Sequence, residues 1–198
     1  MSMVLVRHPP YTFPLMSAPI TVTIVSCSLN TESQSHRLAL AAATSVQAEG
    51  ATADLVDLRE WKLPICDGGS SYRHRSVQPL SEMVNRASAI LVSAPVYNYD
   101  LNAAAKNLVE MTGQSWTDKP VGFLCAAGGE RSYMSPIGFA NSLMFDFRCL
   151  IIPRFVYCTK ADLDVDGDFR APILERVNEL AHTTVTLARA LAWARQKT

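Results

Sequence analysis

The chain has 198 residues, 48% of them apolar and 18% charged, and its formal net charge is zero. That length suits one domain with a substantial core, and the charge balance excludes a nucleic-acid surface or a polybasic membrane patch. A chain without net charge is also expected to self-associate and so hide apolar surface.

Residues 1–19 read as an N-terminal arm. Pro9, Pro10, Pro14 and Pro19 fall in it, and Arg7 and His8 interrupt its apolar residues, so neither a signal-peptide core nor a spanning helix fits. Met16 is an alternative start, and the arm is expected to pack on a neighbouring subunit. Residues 20–198 are expected to form the domain.

The stretch 21–43 organises the rest. Val22, Ile24 and Val25 make a short β-branched run, as in a buried strand. Residues 26–35 are dense in hydroxyls and amides, and helix formers resume at 38–43. A strand, loop and helix start of this kind sets backbone N–H groups and hydroxyls at the positive end of a helix dipole, which suits a phosphate. Ser, Thr and Asn are equally ordinary caps and turn formers, and both readings stand. No Lys or Arg precedes Arg37, so an anion here would be held by neutral donors. The turn also lacks glycine, which excludes the Walker and G-x-G-x-x-G fingerprints.

Glu49 and Gly50 end the first helix, and residues 53–58 alternate like a second strand. Residues 61–75 form a long loop, a kind of segment that is often functional. A helix over 81–87 is opened by Pro79 and Ser81, and the apolar run 89–93 reads as a central strand that Pro95 stops. Next come a helix over 101–111 ended by Gly113, a strand over 121–126, a Gly128-Gly129 turn and a helix over 135–147. A fifth strand spans 149–157 and a long terminal helix spans 172–196, with Ile173, Val177, Leu180 and Leu187 on its apolar stripe. This alternation implies an α/β fold, a parallel sheet covered by helices on both faces and joined by right-handed crossovers.

Cys27, Cys66, Cys125, Cys149 and Cys158 are odd in number and contain no C-x-x-C spacing, so they read as reduced thiols in a cytoplasmic protein. Cys27 stands apart, because a helix N-terminus can lower a thiol pKa. No metal site is expected. Asp162, Asp164, Asp166 and Gly167 imitate the start of a calcium loop, but the required glutamate is replaced by Ile173, so a solvated acidic turn is the better reading.

Ligands of open parallel sheets bind beyond the carboxyl ends of the strands. The loops after strands one, three and four are the distinctive ones here, and together they suit a planar heteroaromatic carrying a phosphate. The turn after strand three offers amides and an aromatic flank, and the glycine pair lets main chain approach a ring.

These loops resemble those of the NAD(P)H-dependent FMN reductase family, which includes related quinone, chromate and azo-dye reductases. The family's Gly-Ser-x-Arg-x-x-Ser-x-Asn/Ser loop aligns with residues 27–35, matching at Ser28, Ser33 and Ser35, while Cys27 replaces the glycine and Asn30 the arginine. Pro-x-Tyr-Asn matches Pro95, Val96, Tyr97 and Asn98, followed by Lys106-Asn107, and Gly-Gly-x-Arg matches Gly128, Gly129 and Arg131. Asp57-Leu58 and Leu63-Pro64 also fall at family positions, so the resemblance runs to about residue 191.

The resemblance implies a flavodoxin-like three-layer α/β/α sandwich with a five-stranded parallel sheet in the order 2-1-3-4-5. It implies FMN as cofactor, with NADPH or NADH as co-substrate. Hydride passes from nicotinamide to flavin, and electrons then go to a small-molecule acceptor: free flavin, a quinone, an azo dye or a metal oxyanion. No catalytic side chain is required, and a homodimer or homotetramer is expected. By the same resemblance Ser28, Asn30, Ser33, Gln34 and Ser35 hold the phosphate, Pro95 to Asn98 line the ring edge, and Ala127, Gly128 and Gly129 approach its pyrimidine side. Arg131 binds nucleotide phosphate or makes a subunit salt bridge. The missing arginine at position 30 leaves a non-catalytic flavin-binding or redox-sensing module as the alternative. Tyr97 either lines the cofactor or packs the core, and His36 reads as a surface residue rather than a base. His74, in the loop after strand two, either approaches substrate or has no role there, the second being the better reading.

Overall fold

The computed structural model describes residues 19–196; the expected arm lies outside them except for Pro19. Five strands form the parallel body of one sheet. They are β1 (Thr21–Ser26), β2 (Thr52–Asp57), β3 (Ala89–Tyr97), β5 (Pro120–Ala126) and a divided edge made of β6 (Leu150–Ile151) and β7 (Val156–Cys158), while β4 (Asp100–Leu101) folds back antiparallel on β3. The spatial order is β2-β1-β3-β5-β6. Counting the parallel strands alone, this is the expected 2-1-3-4-5.

Helices cover both faces because side chains alternate along each buried strand. Val22, Ile24, Leu91 and Leu124 pack under α1 (Gln34–Ala48) and α6 (Ala171–Arg195), which bury Leu38, Val46, Val177 and Leu180. Val25, Val92 and Phe123 point the other way. They pack against Leu80 of α3 (Val77–Arg86), Leu108 of α4 (Ala103–Thr112) and Leu143 of α5 (Pro136–Phe147), with a short α2 (Leu58–Trp61) after β2.

Two expectations need correction. Pro95 does not stop the third strand: β3 continues to Tyr97, with Pro95 opposite Ala126 of β5. The proline fits because β1 already ends at the Ser26–Ser93 pair, so no ladder on that side needs its N–H. The fifth strand is not continuous either. Between the Val121–Ile151 and Leu124–Val156 pairs the edge chain loops out, since Pro153 has no N–H to donate and Arg154 adopts φ 60°. An edge strand tolerates such a break because only one neighbour loses its partner.

Candidate functional site

The loop between β1 and α1 is built by its own side chains. The Cys27 amide donates to the Ser93 carbonyl at 2.8 Å, and Asn102 Nδ2 donates to the Cys27 carbonyl at 2.8 Å, so the loop leaves the sheet already fastened to β3 and the start of α4. Ser28 Oγ accepts from the Asn30 amide and Asn30 Oδ1 from the Glu32 amide, at 3.2 and 3.0 Å. Ser33 caps α1, its Oγ accepting from the His36 amide at 3.1 Å and lying 2.9 Å from Ser35 Oγ. The Ser93 hydroxyl donates to the Ser35 carbonyl at 2.6 Å. Each of these bonds satisfies a turn or helix-end group that would otherwise need water.

Beneath the loop lies a charged brace. His36, expected on the surface, instead reaches inward, with Nδ1 3.0 Å from Ser26 Oγ and 3.5 Å from Asp57 Oδ2. Arg59 Nε donates to both Asp57 oxygens at 2.9 Å, its Nη2 donates to Oδ2, and its Nη1 donates to the Thr31 carbonyl at 3.4 Å. Burial works against charge on Asp57, but the hydrogen bonds from Arg59 and the nearby charges of Arg59 and His36 outweigh it and hold the carboxyl below the ordinary aspartate value. This brace joins the first turn of α1 to the end of β2 under the serine-rich loop.

After β3 the chain makes a two-residue hairpin. Val96 pairs with Leu101 and Tyr97 with Asp100, and Asn98 and Tyr99 between them have φ 51° and 67°. A tight hairpin between right-twisted strands requires positive φ at both positions, which Asn tolerates and Tyr accepts only with strain. Tyr97 and Tyr99 are each 56% exposed, which removes Tyr97 from the core. Val96 buries its side chain in the core, and Asn98 sits at the exposed hairpin tip.

The turn after β5 is held at both ends. The Ala127 amide donates to the Cys158 carbonyl at 2.8 Å, and the Tyr157 hydroxyl donates to the Gly129 carbonyl at 2.6 Å. Gly128 and Gly129 do not use the left-handed region, and a Cβ added at either would meet no atom within 4 Å. Neither backbone strain nor internal packing requires glycine here. The space in front of the turn is open.

These elements enclose one cleft of about 270 Å³. Ser28, Asn30, Ser33, Gln34 and Ser35 line it on one side, Pro95 and Tyr97 on another, and Ala127 and Gly128 on a third. Gly129 and Arg131 line a neighbouring shallow cavity of about 380 Å³ instead. Thr159 and Lys160, straight after β7, also line the cleft and are absent from the sequence-based expectation. Their signal was positional, since the end of every parallel strand faces this rim. Lys160 adds a cation to a cleft whose serine loop offers only neutral donors. A separate cavity of about 430 Å³, between the loop after β2 and the start of α4, is lined largely by apolar groups such as Leu29, Leu63 and Ile65. It meets the serine loop only at Leu29, so the first cleft is the one that collects the donors.

The donor chemistry fits a phosphorylated ring system: hydroxyls, an amide and helix-terminal N–H groups at one end, bare main chain at the other. Cys27 lies fully buried, and burial, aided by the neighbouring Cys125, drives its thiol pKa upward, opposite to the lowering that a helix N-terminus alone would produce. Burial likewise pushes Cys125 up to about 12, and Cys149 and Cys158 up to about 11. His74 serves its own loop, Nδ1 accepting from the Ser76 amide at 3.3 Å. Asp164 holds the acidic turn together, accepting from the amides of Asp166 and Asp168 at 3.0 and 2.8 Å.

Residues 20–161 match the family model described as NADPH-dependent FMN reductase. An NAD(P)H-dependent FAD/FMN reductase from Geobacillus thermodenitrificans (strain NG80-2) is 27% identical over 135 residues, covering 66% of this chain and 72% of the relative. An oxidoreductase structure from Corynebacterium diphtheriae is similar with a TM-score of 0.72 at 18% identity, over 86% of this chain and 97% of that one. FerB, a flavoenzyme NAD(P)H:(acceptor) oxidoreductase from Paracoccus denitrificans, gives 0.71 at 18% identity, over 86% and 98%. At that identity the two structures speak for the fold.

Proposed function

From the premise that the chain belongs to the NADPH-dependent FMN reductase family, we propose that the cleft between the serine loop, the hairpin and the glycine turn is where it holds FMN. The protein is an NAD(P)H-dependent flavin oxidoreductase. One observation carries the assignment of the site: residues far apart in sequence, Ser28, Pro95 and Gly128 among them, line a single cleft at the carboxyl ends of the strands.

FMN held there would supply the hydride and electron transfer between reduced nicotinamide and the second acceptor. The chain's own part is to hold and orient. Ser28, Asn30, Ser33, Gln34 and Ser35 offer hydroxyl, amide and helix-end donors to the phosphate, and main chain at Ala127 and Gly128 lies against the ring. Tyr97 flanks the cleft from the hairpin. Gly129 and Arg131, one cavity further on, are suited to the incoming nucleotide. The acceptor is a small molecule, in our reading a quinone, free flavin, azo dye or metal oxyanion.

Residues 20–198 act as one FMN-binding domain in this reading. Exposed Leu29 and Ile65 beside the apolar cavity favour a homodimer or a homotetramer. Five unpaired thiols are in keeping with the cytoplasm, and no helix among the described residues is long and apolar enough to cross a membrane.

The test is an absorption spectrum with a thermal melt. FMN at a hundred times its Kd stabilises the protein by about 2.7 kcal/mol, or roughly 5–10 °C. Colourless protein whose melting is indifferent to FMN would remove the assignment. Bleaching of the bound flavin by NADPH or NADH in a stopped-flow mixer then reports the hydride step.

A further inference from the structure

The donors facing the cleft do not balance the charge of the group they are meant to hold. A phosphate monoester carries about two negative charges near neutral pH, and taking it out of water among neutral donors alone is unfavourable. On the serine loop much of the hydrogen-bonding capacity is already used. The Asn30, Glu32 and His36 amides already donate within the loop, to Ser28 Oγ, Asn30 Oδ1 and Ser33 Oγ, and one hydroxyl proton is engaged between Ser33 and Ser35, which leaves chiefly uncharged side-chain donors for a phosphate. Glu32, also on the cleft, adds a charge of the wrong sign.

The cations nearest in sequence are committed elsewhere. Arg37 Nη1 donates to the Gly167 carbonyl at 2.6 Å and to Gln34 Oε1, its Nη2 pairs with Asp168 at 2.8 Å, and its guanidinium lies over the Phe169 ring. Arg59 is bound to Asp57 beneath the loop. Among the described residues lining the cleft, Lys160 is the sole cation.

Lys160 is also set in place. Thr159 and Asp162 form a capping box in which the Asp162 carboxylate accepts from the Thr159 amide at 2.8 Å and from its hydroxyl at 2.9 Å, while Thr159 Oγ1 accepts from the Ala161 amide at 3.3 Å. This occupies both the nearby acid and the Thr159 hydroxyl. The Lys160 side chain is exposed, and no salt bridge among the described residues claims it.

Building on the site reading above, we infer that Lys160 is the counter-charge for the FMN phosphate. It supplies from the end of the fifth strand the positive charge that the serine loop lacks at Asn30. A lysine suits this, being a compact charge on a flexible stem that reaches a phosphate without needing a fixed fork. It acts on the phosphate and leaves recognition of the ring to the hairpin and the glycine turn. Lys160 should therefore add to the preference for FMN over riboflavin that the loop donors begin.

The experiment titrates apo-protein with FMN and with riboflavin, following flavin fluorescence at several salt concentrations. Lys160→Met is expected to weaken FMN about tenfold or more, the size of a charge-assisted hydrogen bond, to flatten the salt dependence, and to leave riboflavin affinity unchanged. Lys160→Arg retains FMN affinity, and adding Asn30→Arg to Lys160→Met recovers it. An FMN affinity that survives Lys160→Met, or a loss shared equally by FMN and riboflavin, would overturn the inference while leaving the site reading intact. Wild-type protein that binds neither flavin overturns both.

Discussion

The serine loop and the glycine turn line the same cleft, yet they are built on opposite plans. In the loop, hydroxyls and amides are spent on one another, and a charged brace of His36, Asp57 and Arg59 lies underneath. In the turn, two glycines face space that no protein atom fills. A third glycine sharpens the contrast. Gly122, six residues before Gly128 on β5, would place a Cβ 2.8 Å from Leu91 Cδ2 and 2.9 Å from Leu180 Cδ1. Glycine in mid-strand answers to the core; at the rim it faces open space. The loop is thus preformed by its own bonds, whereas the turn is shaped by what it leaves out.

The largest expected effect comes from breaking this contrast at the rim. Gly128→Leu should weaken FMN about a hundredfold, near 2.7 kcal/mol, while the apo-protein unfolds within about 0.5 kcal/mol of wild type. Calorimetric titration together with urea unfolding checks both halves, and an unchanged FMN affinity would show that the open space is incidental. Gly122→Ala should do the reverse. Overpacking against Leu91 and Leu180 lowers stability by about 1–3 kcal/mol, and the folded fraction binds FMN normally.

Asp57→Ala tests the brace. Removing the carboxylate strands Arg59 and His36 and should lower stability by about 1–2 kcal/mol, limited because Arg59 keeps contact with water. The pH dependence has a definite sign. The folded pKa of Asp57 lies below its ordinary value, so its contribution is present above about pH 4, the unfolded value, and is lost as pH falls through the lower folded value. Asp57→Asn should flatten that part of the acid limb in denaturant midpoints measured between pH 6 and pH 3. The smallest effect belongs to Tyr157→Phe, which frees the Gly129 carbonyl. A loss of up to about 1 kcal/mol in stability and a few-fold drop in FMN affinity would show that the turn is held from behind.

Much of this architecture was legible before any coordinates. Alternating apolar runs mark the strands because burial on both faces demands them, and the stripe on α6 is long enough to be unambiguous. The three loops could be placed at one rim because parallel strands all point their carboxyl ends the same way. Features that depend on distant pairings were hidden. Nothing in the neighbourhood of His36 shows that Asp57 and Arg59 will meet it, and for Lys160, on the same cleft as Ser28, the one signal was its place straight after the last strand. The edge break after Ile151 was foreshadowed by Pro153, but Arg154 at positive φ has no local signature. Pro95 misled because proline usually ends strands; here the neighbouring strand ends first.

The distribution of thiols has a practical side. Four of the five cysteines are sealed in the core, whereas Cys66 is partly open in the segment after β2, its Sγ 3.5 Å from the Tyr72 hydroxyl. A maleimide dye should therefore attach once to the native chain and five times to the denatured one. The fold comes with its own fluorophore anchor, next in sequence to Ile65 of the apolar cavity, from which any self-association of the chain can be followed by energy transfer.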